Sequence, residues 1–206
     1  MAGLGNAAPA ALAAFAPGAD SRVYAHRLHA FVGERCYRVG SQALSWSDAD
    51  GGQGQLEFGD VRKLQLRYSP GRLVERRYTL DLIARRGKRL RINNLHYRGF
   101  ADFEDRSDSY RPFVLNLHRA LALANPALQC AGGSTWAGHL LHLGIALGLL
   151  LLLAVAGLAL LSAGLAWLIV VKLALIVFYM PRLWRFLKRN RPGRYDPLTP
   201  PEHLLP

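Results

Sequence analysis

A long apolar run near the C-terminal end constrains the fold of this chain more than any other feature. Leu143–Met180 spans thirty-eight residues and contains one charge, Lys172. As one straight helix it would span about 57 Å, against a hydrocarbon core of about 30 Å. The sequence therefore predicts two transmembrane helices over residues 136–181, folded back on each other at Gly157–Gly164. A buried helical hairpin in a soluble core is the alternative, which Leu143–Leu161, free of strongly polar groups, disfavours.

Residues that flank the apolar run indicate how the hairpin sits in a membrane. One membrane–water interface would be marked by Trp136, Tyr179 and Trp184 and the other by Trp167, because tryptophan and tyrosine prefer these interfaces. A basic juxtamembrane segment follows the second span and carries Arg182, Arg185, Lys188 and Arg189. The positive-inside rule predicts that this flank is cytoplasmic. Residues 182–206 are thus expected to be a basic segment along the headgroups and an extended, Pro-rich tail.

The first 34 residues are expected to be an Ala-rich flexible lead, and a short helix over residues 20–31 is also considered. A secretory signal is rejected because no Lys or Arg precedes Arg22 and because Pro9 and Pro17 interrupt the apolar stretch. Without a signal, an even number of spans places both termini on the same, cytoplasmic side.

The charge balance limits the class of partner. The chain has 26 Lys and Arg against 14 Asp and Glu, a formal charge of +12, which suits anionic lipid, nucleic acid or an acidic partner. Anionic lipid is the favoured partner because the sequence also predicts a membrane span. Nucleic acid is not expected, because Tyr68 and Tyr78 fall on the apolar side of their strands, where they cannot stack on bases. The two cysteines, Cys36 and Cys130, indicate a reducing compartment.

Residues 35–125 are predicted to form a separate folded domain. Apolar and polar residues alternate between turn signals, which is typical of antiparallel strands with one buried face. Six strands are expected, with Tyr97–Phe103 as a candidate seventh. A helix follows, with an apolar stripe at Tyr110, Phe113, Val114, Leu117 and Leu121. Asn125 and Pro126 end it, and residues 126–135 are expected to be a linker. The predicted class is α+β: a small antiparallel sheet or partly open barrel, capped by the helix and followed by the transmembrane hairpin.

Three stretches of this domain resemble a known family. They are YRVGSQALSW (37–46), LEFGDVRKLQL (56–66) and SYRPFVLNLHRAL (109–121). Together with the order of elements, they are similar to a bacterial pleckstrin-homology-like (PH-like) domain. The tail NRPGRYDPLTPPEHLLP, after RLWRFLKR, resembles the ending of bacterial membrane proteins with that layout. The resemblance implies a PH-like sheet at the inner membrane. It transfers no functional residues.

Basic residues concentrate between Arg62 and Arg91, where eleven Lys or Arg accompany two acids. They are either a solvated strand face or a patch for phosphate headgroups. Successive hairpin turns lie at opposite ends of a meander, so only one turn can face a given surface. The turn that carries Arg85, Arg86, Lys88 and Arg89 is the predicted anion site. Replacing its charges is expected to weaken lipid binding more than replacing Arg67, Arg72 and Arg76.

Other chemistry has less support in the sequence. His139 and His142 have helical spacing, but no Cys or carboxylate accompanies them, so neither a metal nor another cofactor is predicted. No nucleophile elbow, P-loop or dinucleotide motif occurs, so the chain is not expected to be an enzyme. Lys172 lies midway along the second predicted span. Either it snorkels towards the headgroups, which we favour, or it lines an interface or anion path in an oligomer.

The sequence thus predicts a non-catalytic binding or scaffolding module anchored in the inner membrane. Its cytoplasmic domain would contact anionic lipid or a protein partner, and a homo-oligomer is also considered. The alternative is a subunit of a membrane transport or envelope-assembly complex that acts through the hairpin. In that case, substitutions at Lys172 and at Gly144 and Gly148 should matter more than those in the folded domain.

Overall fold

The computed structural model describes residues 21–70, 74, 76–134, 136–162, 180–181 and 183–206. Within these ranges the chain forms two compact units. The first, which we call the β domain, combines the residues up to Gly132 with Arg194–Pro206. The second, which we call the apolar unit, is Gly133–Gly193. The fold class is α+β, as predicted.

The first sheet of the β domain is an antiparallel meander in the order β1-β2-β3-β4. Its strands are β1 (Val23–His26), β2 (Arg35–Val39), β3 (Ala43–Asp48) and β4 (Gln53–Glu57). The expectation of a flexible lead or short helix is wrong at β1, which pairs with β2 from Val23↔Arg38 to His26↔Arg35. All four β1 side chains are buried. A strand that is buried on both faces has no alternation, so its sequence lacks the usual strand signal.

The second sheet has the order β11-β10-β5-β6-β7. Its main strands are β5 (Val61–Tyr68), β6 (Tyr78–Ala84) and β7 (Arg89–Asn93), with β10 (Gln129–Gly132) and β11 (Gly193–Arg194) at one edge. β10 runs parallel to β5, with Cys130 opposite Leu64. Part of the predicted linker 126–135 is therefore a strand. A four-residue strand with one buried hydrophobic side chain is too short to give a periodic signal.

The remaining elements close the core. β8 (Leu95–Gly99) and β9 (Asp102–Asp105) form a separate hairpin. Helix α1 (Ser107–Ala124) follows and ends before Asn125, as predicted. Its predicted apolar stripe is confirmed, because the five side chains are fully buried: Tyr110, Phe113, Val114, Leu117 and Leu121. They join one hydrophobic cluster with the inner faces of both sheets.

The C-terminal tail belongs to the β domain. Leu204 is 1% exposed and Leu205 is 4% exposed, and both lie in the main core cluster. A Cβ atom on Gly132 would lie 2.8 Å from the side chain of Leu204, so the glycine permits this packing. Arg111 on α1 donates hydrogen bonds of 2.9 Å to the carboxylate of Glu202. The tail was expected to be extended only. Its two core leucines sit among prolines, where no helix or strand period marks them.

The apolar unit contains helix α2 (Trp136–Ser162). In the part of the chain that the structure describes, one segment, Trp136–Val155, is long and apolar enough to cross a membrane, with a mean hydropathy of 2.2. α2 continues through residues 157–162, the first part of the predicted break. Residues 183–189 are also helical. The second predicted span and Lys172 lie outside the described residues, so the two-helix hairpin stays a prediction.

Candidate anion-binding face

Asp81 lies at the centre of the outer face of the second sheet. It is on β6, opposite Gln65 on β5 and Arg91 on β7. Its neighbours Leu80 and Leu82 enter the core, so alternation directs Asp81 to the other face. The side chain is nevertheless fully buried. A buried carboxylate needs cationic or hydrogen-bonding partners, because desolvation of an unpaired charge is costly.

Three arginines supply these partners. Arg67 on β5 forms an ion pair with Oδ2 of Asp81. Nη2 of Arg89 lies 2.5 Å from the same oxygen, and Nε of Arg91 lies 2.8 Å from Oδ1. Lys63 pairs with Ile83 across the strands and therefore lies on the same face. We call Lys63, Arg67, Arg89 and Arg91, with Asp81 at their centre, the basic face.

The basic face has more cationic donors than its carboxylate can accept. Three guanidinium groups and one carboxylate leave a net charge of +2, to which Lys63 adds. Each guanidinium carries five N–H donors, and a carboxylate has two oxygens. The side chains of Arg89 and Arg91 are 43% and 49% exposed, so their remaining donors reach solvent. A guanidinium with free N–H groups binds phosphate or carboxylate in a bidentate manner. The arrangement is therefore suited to a second anion.

The predicted anion-binding turn lies at the end of the β6–β7 hairpin. Ala84 N donates to Lys88 O over 2.9 Å, and Gly87 has a φ of 78°, which favours glycine. Arg85 and Arg86 are exposed. Within the described ranges, neither side chain forms a hydrogen bond or an ion pair.

The other two residues of the predicted site have protein partners. Nζ of Lys88 lies 4.9 Å from the centre of the Trp46 ring, a cation–π contact that joins the turn to the first sheet. Arg89 pairs with Asp81 in the basic face. The four residues are thus divided between an open turn, a contact with Trp46 and the basic face.

Part of the basic face, the pairing of Asp81 with Arg91, could have been found from the sequence. The turn signal at residues 85–88 fixes the register of the β6–β7 hairpin, which places Asp81 opposite Arg91. Asp81 is also one of only two acids in the basic stretch. Arg67 could not be assigned in this way, because the β5–β6 connection is too long to define a register. Because Arg67 belongs to the basic face, it is not a suitable control residue for the predicted anion site.

The predicted juxtamembrane and intramembrane residues are only partly described. Arg182 and Lys172 lie outside the described residues. Arg185 is exposed, and its Nε donates to Pro181 O over 3.3 Å. Lys188 is exposed and Arg189 is half-buried.

Two histidines of the β domain, His26 and His118, are fully buried. Nδ1–H of His118 donates to Val114 O over 2.7 Å, and Nε2 of the neutral ring accepts from the Tyr195 hydroxyl over 3.0 Å. Burial lowers the pKa of His118 to about 4 and that of His26 to about 3. In the described part of the chain, no three His, Cys, Asp or Glu side chains are grouped so that they could hold a metal.

Comparisons of the chain with protein-family models, curated proteins and solved structures give no match. Function is therefore inferred from the charges, burial and geometry of the described residues.

Proposed function

We propose that this chain is a non-catalytic binding module, anchored in the inner membrane of a bacterium, whose β domain contacts anionic lipid. The observation that carries the proposal is the basic face. It holds more guanidinium donors than Asp81 can accept, and two of its arginines are about half exposed. Lipid phosphates are the anions that a membrane-anchored domain meets at the highest density. Each basic residue held at such a surface contributes about 1 kcal/mol.

The order of elements supports a PH-like β domain. Two antiparallel meanders, β1–β4 and β5–β7, come first, and helix α1 then fills the core with its apolar stripe. The β8–β9 hairpin and the parallel strand β10 are additions to that plan.

The length and exposure of the helix in the apolar unit support the proposal of a membrane anchor. α2 is 27 residues long, which at 1.5 Å per residue exceeds a hydrocarbon core of about 30 Å. Many of its large side chains are exposed, among them Leu147, Leu151 and Leu152. We propose that a second span follows it and that both termini are cytoplasmic. A reporter that is active only in the periplasm should give no signal when it is fused to the C-terminus.

Nucleic acid fits the basic face less well than lipid. Single-stranded nucleic acid is held by aromatic stacking next to basic charge. Tyr68 and Tyr78 are the tyrosines closest in sequence to the basic face. Tyr78 is buried, and its ring packs on that of Tyr68 with the ring centres 5.5 Å apart, so it is not available to stack on a base.

Vesicle binding tests the proposal. A soluble variant, in which residues 134–192 are replaced by a Gly-Ser linker, is mixed with phosphatidylglycerol vesicles at physiological salt. Replacing Arg89 and Arg91 by Gln should weaken binding of the soluble variant about thirtyfold, because two contacts of about 1 kcal/mol are lost. Binding should also fall as salt rises, because the screening length is about 8 Å at physiological ionic strength.

A matched control separates the basic face from overall charge. Arg38 on β2 and Arg119 on α1 are both exposed. Replacing them by Gln lowers the net charge by the same amount and should change binding by much less. Equal losses in both variants would show that net charge alone governs binding. No binding by the soluble variant with its basic face intact would refute the lipid contact and favour a protein partner for that face.

A further inference from the structure

A cavity in the apolar unit joins cationic and apolar side chains. It lies between α2 and the helical residues 183–189 and has a volume of about 350 Å³. Its lining consists of His139, Leu143, Trp184, Leu187, Lys188 and Arg191. None of these residues belongs to the basic face.

The spacing of these residues places them on facing sides of two helices. His139 and Leu143 are four residues apart on α2, so they share one helix face. On the other segment, Leu187 and Lys188 lie three and four residues after Trp184 on the same helix, and Arg191 follows just beyond its end. α2 thus contributes an imidazole and an apolar side chain to the wall, and the other segment contributes two cationic and two apolar side chains.

A backbone contact fixes one end of the cavity. The N–H and the hydroxyl of Ser134 donate to Asn190 O over 3.1 and 3.2 Å. Gly133 has a φ of 72°, and a Cβ atom there would lie 2.4 Å from Arg191 O. The chain that enters α2 is therefore held directly against the residues that carry Arg191. This contact sets the distance between the two walls at that end.

We infer that this cavity binds an anionic phospholipid, with the phosphate on Lys188, Arg191 and His139. The glycerol and the first acyl carbons would lie on Leu143, Leu187 and Trp184. Basic pockets between membrane helices bind anionic headgroups in this way. A zwitterionic headgroup would bring its own cation to the lysine and arginine. Inorganic phosphate would leave the apolar wall in water. The inference rests on the proposed insertion of α2, which places its first turn at headgroup level.

Native mass spectrometry of the full chain tests the site. The protein is purified in a mild detergent, and phosphatidylglycerol or phosphatidylcholine with the same acyl chains is added. The unmodified protein should retain phosphatidylglycerol in preference to phosphatidylcholine, a comparison that requires no variant. Replacing Lys188 and Arg191 by Ser should weaken the preferred binding about thirtyfold. The charge-preserving Lys188→Arg and Arg191→Lys variant should retain most of it.

Two controls complete the test: replacement of two basic residues outside the cavity, and competition by inorganic phosphate. Arg185 and Arg194 are exposed and do not line the cavity. Replacing this pair by Ser should leave phosphatidylglycerol binding nearly unchanged. Inorganic phosphate in excess should not displace the lipid. Equal retention of the two lipids, equal losses in the two Ser variants, or displacement by phosphate would each overturn the inference.

The Arg89 and Arg91 variant distinguishes this site from the basic face. It should keep its bound phosphatidylglycerol in the mass spectrometer while its soluble counterpart loses vesicle binding. Failure of the full chain to enter membranes would refute the proposed anchor. Loss of bound lipid from a chain that does insert would refute the cavity alone.

Discussion

Truncating Leu204 tests whether the C-terminal tail is part of the β domain. Leu204 is 1% exposed, and its side chain packs over Gly132 on β10. The ends of the β domain around the apolar unit are adjacent, because Tyr195 N lies 3.3 Å from Cys130 O. A Gly-Ser linker in place of residues 134–192 should therefore give a soluble domain in which unfolding can be measured.

The expected loss is large for one residue. A fully buried Leu→Ala change removes hydrophobic contacts and leaves a cavity, at a cost of about 2–5 kcal/mol. A domain of this size has a total stability of about 5–15 kcal/mol. Leu117→Ala, in the α1 stripe, should cost a similar amount. Leu198 lies in the same tail but is 60% exposed, so Leu198→Ala should stay within about 0.5 kcal/mol.

Urea unfolding, followed by intrinsic fluorescence, gives the comparison. Leu204→Ala should lower the urea midpoint with little change in slope, while Leu198→Ala should leave it in place. An unchanged midpoint for Leu204→Ala would refute the packing of the tail. A loss of equal size for Leu198→Ala would show that the tail responds to any truncation and that the burial of Leu204 is not the cause.

Two further predictions concern pH and packing in the same soluble variant. Burial in the folded state lowers the pKa of His26 to about 3 and that of His118 to about 4, below the unfolded value of 6.5. Protonation therefore favours the unfolded state as the pH falls below 6.5. The free energy of unfolding should fall by about 2 kcal/mol per histidine between pH 7.5 and 5. Urea unfolding at both pH values should show a drop that is about 2 kcal/mol smaller in His26→Phe, and an unchanged drop would contradict the assignment. A Cβ atom on Gly54 would lie 2.4 Å from the Trp46 ring, so Gly54→Ala should cost about 1–3 kcal/mol by overpacking. Gly59, with nothing within 4 Å, is the control, and equal midpoints for the two Ala variants would contradict the clash.

Elements with a regular period were predictable from the sequence. The α1 stripe is buried as its spacing requires, and β5, β6 and β7 follow the alternation of their apolar residues. These elements place apolar residues on the core and polar residues on the other face, so the polar residues between the apolar ones reveal the period.

Elements without a period were not predictable. β1 is buried on both faces, β10 is four residues long, and the tail contributes only Leu204 and Leu205 to the core. The tail also returns to the β domain after the whole apolar unit, a contact that no local pattern can indicate. The basic face was missed for a related reason. The convergence of Arg67, Arg89 and Arg91 on Asp81 depends on the pairing of three strands.

A label in the middle of the basic face tests the proposed function most directly. Ile83 lies on this face between Lys63 and Arg89 and carries no charge, so Ile83→Cys introduces a thiol without removing a basic residue. Burial raises the pKa of Cys36 to about 11 and that of Cys130 to about 12, which leaves the new thiol as the reactive one at neutral pH. Gln55→Cys, exposed on β4, provides the matched position on the other sheet.

The full chain, spin-labelled at either position, is reconstituted in nanodiscs of phosphatidylglycerol or phosphatidylcholine. Accessibility to oxygen and to a water-soluble relaxation agent then reports the distance of each label from the bilayer. The label at position 83 should lie at headgroup depth in phosphatidylglycerol and in water in phosphatidylcholine, while the label at position 55 stays in water in both. A label at position 83 that remains in water in phosphatidylglycerol would contradict the proposal that the basic face contacts anionic lipid.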